Sequence, residues 1–184
     1  MEIFALMMHD RETPVWDINT RVFHWFLVLA YCTAQLTAEE WDAAHEYAGY
    51  IVLGLVAFRT IWGFAGPRYV QFSEFVNSPR TIKVHLTNIL TGQHNAEAGH
   101  NPAGGAMVLV LLAWLALTGI TGWLSTTLSG NVAELLEEFH EFLGEYSLLL
   151  IALHLAGVIV MSLVERQDLA RSMIDGKKHL KGDF

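Results

Sequence analysis

Cys32 is the single cysteine in a chain of 184 residues. One cysteine excludes an internal disulfide, a four-cysteine zinc site and a C-x-x-C-H attachment for a covalently bound prosthetic group. Cys32 lies in an apolar run, where a small packed thiol is expected. No basic patch with interleaved aromatics occurs, so no nucleic-acid partner is expected. Internal repeats and low-complexity segments are also missing. Residues 1–19 carry Asp10, Arg11, Glu12, Pro14 and Asp17 and resemble neither a signal peptide nor a cleavage site, so the first apolar segment is expected to stay in the mature protein. Lysine and arginine are absent from two whole stretches, Thr37 to Glu46 and Ser125 to Glu145.

Apolar residues make up 53% of the chain, with mean hydropathy +0.34, which points to a membrane protein. Four apolar segments approach the roughly 20 residues that cross a bilayer. Their cores run from Val22 to Leu36, Ala48 to Phe64, Ala103 to Leu124 and Leu143 to Val164. The first two borrow flanking residues, so the predicted spans are 22–38, 45–64, 103–124 and 141–164. The expectation is an all-α fold, a single transmembrane domain over residues 1–184 built as a four-helix bundle. On a four-span path all 11 basic residues fall on one side with 10 of the 19 acidic ones, and the other side holds nine acidic and no basic residues. The positive-inside rule then places both termini in the cytoplasm. In the inner loop, Ser78 and Pro79 form a helix start. Ile82, Leu86, Ile89 and Leu90 follow at helical spacing, fitting a short amphipathic helix on the inner surface. Phe72 and Phe75 before it are expected as interfacial anchors.

Four histidines, His24, His45, His140 and His154, sit inside or at the rims of the apolar runs, where an ionisable residue is a functional suspect by default. His140 and His154 are 14 residues apart, hence separated by roughly 21 Å along a helix and within about 40° of the same face. The first helix runs outward, placing His24 level with His154 near the inner surface. The second starts outside, placing His45 level with His140. Two pairs at two depths predict two bis-histidine haem sites, an inner one on His24 and His154 and an outer one on His45 and His140. With both axial positions filled, such an iron suits electron transfer. Gly49 and Gly144 stand one turn after His45 and His140 and would let a flat macrocycle lie close; Gly157 would serve the inner site likewise. A zinc or copper site on histidine alone competes poorly, because the pairs are too far apart to share one ion. A proton transporter using histidines is the alternative from another class. His9, His85, His94 and His179 are read as solvated. His100 and Asn101, where the third span begins, could donate to a quinone, and Asn101–Pro102 could equally be a helix cap. Arg59 is read as a partner for a haem propionate or a lipid phosphate.

Several stretches carry a family resemblance: Val15-Trp16-Asp17, Arg21 to Trp25, His45 to Tyr50, Arg59 to Tyr69, Gly99 to Gly104, His140-Glu141, Leu153-His154 and Asp168 to Lys177. By these the chain resembles the bacterial cytochrome b561 and nickel-iron hydrogenase-type cytochrome b family over nearly its whole length. The resemblance implies a four-helix membrane bundle of the bacterial inner membrane with two b haems, whose ligand positions coincide with the four histidines above. It implies electron transfer between a redox partner and the quinone pool. Family members serve as hydrogenase membrane anchors, work with c-type cytochromes, or act alone as superoxide:quinone-type oxidoreductases. Membrane lipid, quinone, and a c-type cytochrome or hydrogenase subunit are therefore the expected partners.

Overall fold

The computed structural model describes residues 11–93 and 99–180. Helix α1, Ile18–Thr37, opens on Asp17, whose carboxylate accepts from the backbone N–H groups of Asn19 and Thr20. Those donors have no partner within the helix, which is why a capping carboxylate favours this start. A tight turn leads into α2, Asp42–Ala65. A 3-10 turn over Arg68–Val70 and the single-turn α3, Phe72–Phe75, come next. The predicted Ser78–Pro79 start is present: Ser78 Oγ accepts from the Thr81 N–H at 3.2 Å and α4 spans Pro79–Leu90. Helix α5, Pro102–Thr127, begins the same way, with Asn101 Oδ1 accepting from the Gly104 N–H at 2.7 Å. Helix α6 is Asn131–Val164 and α7 is Leu169–Asp175.

Helices α1 and α2 form one antiparallel hairpin, α5 and α6 another, and α2 packs on α5 to join them. The core sits where three helices meet, with Ala30, Val52, Val56 and Leu115 buried together. Helix α6 is tied to α1 by polar contacts: Tyr31 Oη and Ser147 Oγ lie 2.7 Å apart, and Gln35 Nε2 donates to the Gly144 carbonyl at 3.2 Å. The outward faces remain apolar, with Leu29, Ile61 and Leu163 each more than 60% exposed. A surface of that kind suits lipid rather than water. Helices α2, α5 and α6 are long and apolar enough to cross a membrane. Helix α1, of 20 residues, falls outside that set, since Asn19, Arg21, Thr33, Gln35 and Thr37 dilute it.

Several expectations need correction. The helix that carries the expected span 141–164 begins earlier, at Asn131, because Glu134, Glu137, Glu138 and Glu141 extend a helix as readily as apolar residues do. The helical class holds, yet the chain also has two short strands. Strand β1, Arg11–Pro14, pairs antiparallel with β2, Lys177–Leu180, with Pro14 opposite Lys177. The two terminal segments thus meet at one end of the bundle. His179 lies in β2, in register with Glu12. Phe75 is no interfacial anchor: it is only 2% exposed. Cys32 is exposed rather than packed. The His85 Nε2 is shielded from solvent instead of free in it. His9 and His94 lie outside the described residues.

Candidate histidine pairs and the terminal cap

The histidines expected at the end opposite the termini do meet. His45, in the first turn of α2, and His140, in the third turn of α6, face one another with ring centroids 5.8 Å apart and planes at 79°. Each ring is oriented by backbone. His45 Nδ1 bonds the Ala34 carbonyl at 2.9 Å, and His140 Nδ1 bonds the Thr118 carbonyl at 2.8 Å. A carbonyl can only accept, so both Nδ1 atoms carry a proton, and in the neutral tautomer this fixes, the lone pair is on Nε2. Such an orienting bond to the second nitrogen is how metal-ligating histidines are commonly held. A Cβ placed on Gly122 of α5 would lie 2.7 Å from His140 Cε1, so only glycine lets the ring rest against that helix. At Gly49 and Gly144, both half-buried, a Cβ would meet no atom within 4 Å. Open space beside those two positions is what a flat ligand lying along α2 and α6 requires.

Toward the other end, His24 of α1 and His154 of α6 are half-buried and close enough to interact electrostatically. His24 Nδ1 is buried with no hydrogen-bond partner, so the ring holds unused bonding capacity. Open space also adjoins Gly157, which is itself exposed. Among the described residues no three His, Cys, Asp or Glu side chains converge on one point. Each pair offers two ligands and leaves the remaining coordination to whatever it holds.

His100 and Asn101 sit at the terminal end, under a cap made by the two chain ends. Trp16 donates its Nε1–H to Ser172 Oγ at 3.1 Å, Trp25 donates to the Met173 carbonyl at 3.0 Å, and the Arg21 guanidinium donates to the Ile174 carbonyl. These bonds clasp α1 to α7. The His100 ring lies 4.6 Å from Trp16 and 4.5 Å from Phe75, centroid to centroid. Burial, together with the positive charges of Arg59 and Lys178, pushes this imidazole down to about 3, so it is neutral at physiological pH. Its Nδ1 is buried without a partner. Asn101 has little left to offer a ligand. Its carbonyl oxygen caps α5, and its amide nitrogen donates to Glu165 Oε1 at 3.4 Å. Glu165 Oε2 pairs in turn with Lys178 Nζ at 4.0 Å, and Lys178 also donates to the Gly99 carbonyl at 2.8 Å. This buried chain fastens the start of α5, the end of α6 and β2 together.

Arg59 does not reach lipid. It is 3% exposed, donates from Nη2 to the Val70 carbonyl at 3.1 Å, and lies over the rings of Phe72 and Phe75 at 5.1 and 5.9 Å. Sequence reasoning missed the carbonyls of Ala34 and Thr118, Gly122, and the Tyr31–Gln35–Ser147 contacts. The backbone acceptors leave no sequence signal; Gly122 and the polar residues of α1 do stand out inside apolar runs.

Neither the curated proteins nor the solved structures yielded a match. The family model described as prokaryotic cytochrome b561 matches residues 15–176, a stretch that takes in both histidine pairs and most of the terminal cap. The chain belongs to the prokaryotic cytochrome b561 family.

Proposed function

We propose that this protein carries electrons across the bacterial inner membrane through two b-type haems, linking a periplasmic or membrane redox partner to the quinone pool. Family membership carries the coarser part, transmembrane electron transfer by b-type haem. The finer reading rests above all on the facing His45 and His140 rings, with both Nδ1 atoms held by carbonyls and space open at Gly49 and Gly144. In this reading α1 is the fourth span, its 20 residues reaching about 30 Å, one hydrocarbon thickness. Both termini are cytoplasmic, as the one-sided distribution of Lys and Arg demands.

The residues present fit the group. His45 and His140 hold the outer haem and His24 and His154 the inner one, each donating a ring nitrogen to the iron. The haem supplies one-electron redox chemistry; the chain supplies depth, ligation and a low-dielectric path. Ala34 and Thr118 keep the outer imidazoles in one tautomer. His100, neutral and with an unpartnered Nδ1, is the group at the terminal end able to accept a hydrogen bond from a quinol hydroxyl, while Asn101 fixes the helix start below it.

A pyridine haemochrome assay on purified protein is expected to give about two haems per chain. H45A or H140A is expected to remove one haem, and H24A or H154A the other, with the lost species identified by redox titration. One haem per chain, or His24 and His140 behaving as a pair, overturns the assignment. Haem reoxidation by a quinone analogue is expected to slow in H100A; an unchanged rate with both haems retained moves the quinone elsewhere.

A further inference from the structure

Arg59 stands to His45 on α2 as His154 stands to His140 on α6. Both separations are 14 residues, roughly 21 Å along the helix and within about 40° of the same face. Side-chain packing fixes the depth independently. Phe58, beside Arg59, packs on Phe23, beside His24, with ring centroids 6.2 Å apart. Arg59 therefore lies at the level of the His24–His154 pair.

Its surroundings are short of negative charge. Nη2 is spent on the Val70 carbonyl, whereas Nη1 is buried with no hydrogen-bond partner. Asp17 acts on it electrostatically, yet the Asp17 carboxylate is occupied with the first turn of α1: Oδ1 accepts from two N–H groups there and Oδ2 from the Thr20 hydroxyl. The rings of Phe72 and Phe75 lie under it, and aromatic faces moderate a guanidinium without neutralising it. A buried cation with a vacant donor is costly unless an anion completes it. With 3% exposure the anion cannot be a lipid phosphate reached from the surface. It has to be a group enclosed with Arg59 at that depth.

We infer that Arg59 is the anion-holding residue of the inner haem, its free Nη1–H donating to a propionate carboxylate, so that its charge also sets the potential of that haem. This rests on the two-haem reading above and adds a role that the ligands do not have. Reduction adds an electron to the haem, so a nearby fixed cation favours the reduced form. Removing the cation has to lower the potential of the inner haem alone.

The test is a redox titration of both haems in purified wild type, R59Q and R59K, with haem content measured for each. In R59Q the inner haem, identified as the species lost in H24A, is expected to shift toward the oxidised form by about tenfold at fixed ambient potential, equivalent to about 59 mV for a one-electron couple. R59K keeps the charge but replaces the guanidinium fork by a single ammonium, so a smaller, measurable shift is expected. The outer haem stays unchanged in both. Unaltered inner potential in R59Q with two haems bound overturns the inference, as does equal loss of the inner haem from R59Q and R59K, which marks a purely structural arginine. Should R59Q not assemble, R59K decides: a measurable fall of the inner potential alone supports the inference, and no fall overturns it. Wild-type protein without two haems would instead sink the two-haem reading itself.

Discussion

Gly122→Ala places one methyl group against the His140 ring. The added Cβ would stand 2.7 Å from Cε1 and 2.9 Å from Nδ1, whereas carbon atoms settle at about 3.5–4.0 Å. The ring cannot swing away freely, because Nδ1 is bonded to the Thr118 carbonyl at 2.8 Å on the same helix, α5. Overpacking of this kind costs about 1–3 kcal/mol. Against it stands the gain from replacing a helical glycine by alanine, about 0.5–1 kcal/mol. The clash wins, and the variant is expected to be less stable by roughly 1–2 kcal/mol and to lose or weaken the outer haem while keeping the inner one. In a His140→Ala background the obstacle is gone, so the same alanine becomes stabilising by about 0.5–1 kcal/mol. A double-mutant cycle on unfolding midpoints, read beside haem content, isolates the contact. If Gly122→Ala has the same effect on stability in both backgrounds, the ring does not rest on α5 as described.

Acidification tests the terminal cap. His100 titrates near 3 when folded and near 6.5 when unfolded, so its stabilising share is complete above pH 6.5 and falls as pH drops toward 3. At about 1.4 kcal/mol per pH unit, roughly 2 kcal/mol is lost by pH 5, and H100Q is expected to flatten the unfolding profile between pH 7 and 5. An identical slope in both proteins refutes it. Gln35→Leu removes an amide whose two N–H donors are shared among the Tyr31 and Ser147 hydroxyls, each at 3.0 Å, and the Gly144 carbonyl. A loss of about 1 kcal/mol per N–H donor is expected in unfolding measurements, and no loss would show that α1 and α6 do not depend on this contact. The face with nine acidic and no basic residues is expected to steer a basic c-type cytochrome, with reduction rates falling as ionic strength rises to about 0.15 M. Salt-independent rates count against steering.

What was legible in the sequence was local or periodic. Ser78 and Asn101–Pro102 announce their helix starts because an N-cap needs only a few consecutive residues. The 14-residue spacing places His140 and His154 on one face through the geometry of a single helix. The meeting of His45 with His140 followed from span order and direction, which apolar length and charge asymmetry supply. Apolarity marks a span and not the whole helix: α6 begins at Asn131, since glutamates continue a helix without continuing a hydrophobic run. The remaining features depend on partners far apart in the chain. Strands β1 and β2 are four residues each and pair across more than 160 positions, so neither has a local pattern that names the other. Asn101 was readable as a possible donor, but only Glu165 beside it shows that the amide is already committed. Arg59 was readable as a partner for a haem propionate or a lipid phosphate, and only the turn at Val70 and the rings of Phe72 and Phe75 folded over it show that it is closed to lipid. The backbone carbonyls that orient His45 and His140 carry no side-chain signal at all. Periodicity and capping are properties of a few neighbouring residues, whereas shielding, tautomer and charge compensation come from groups that only packing brings together.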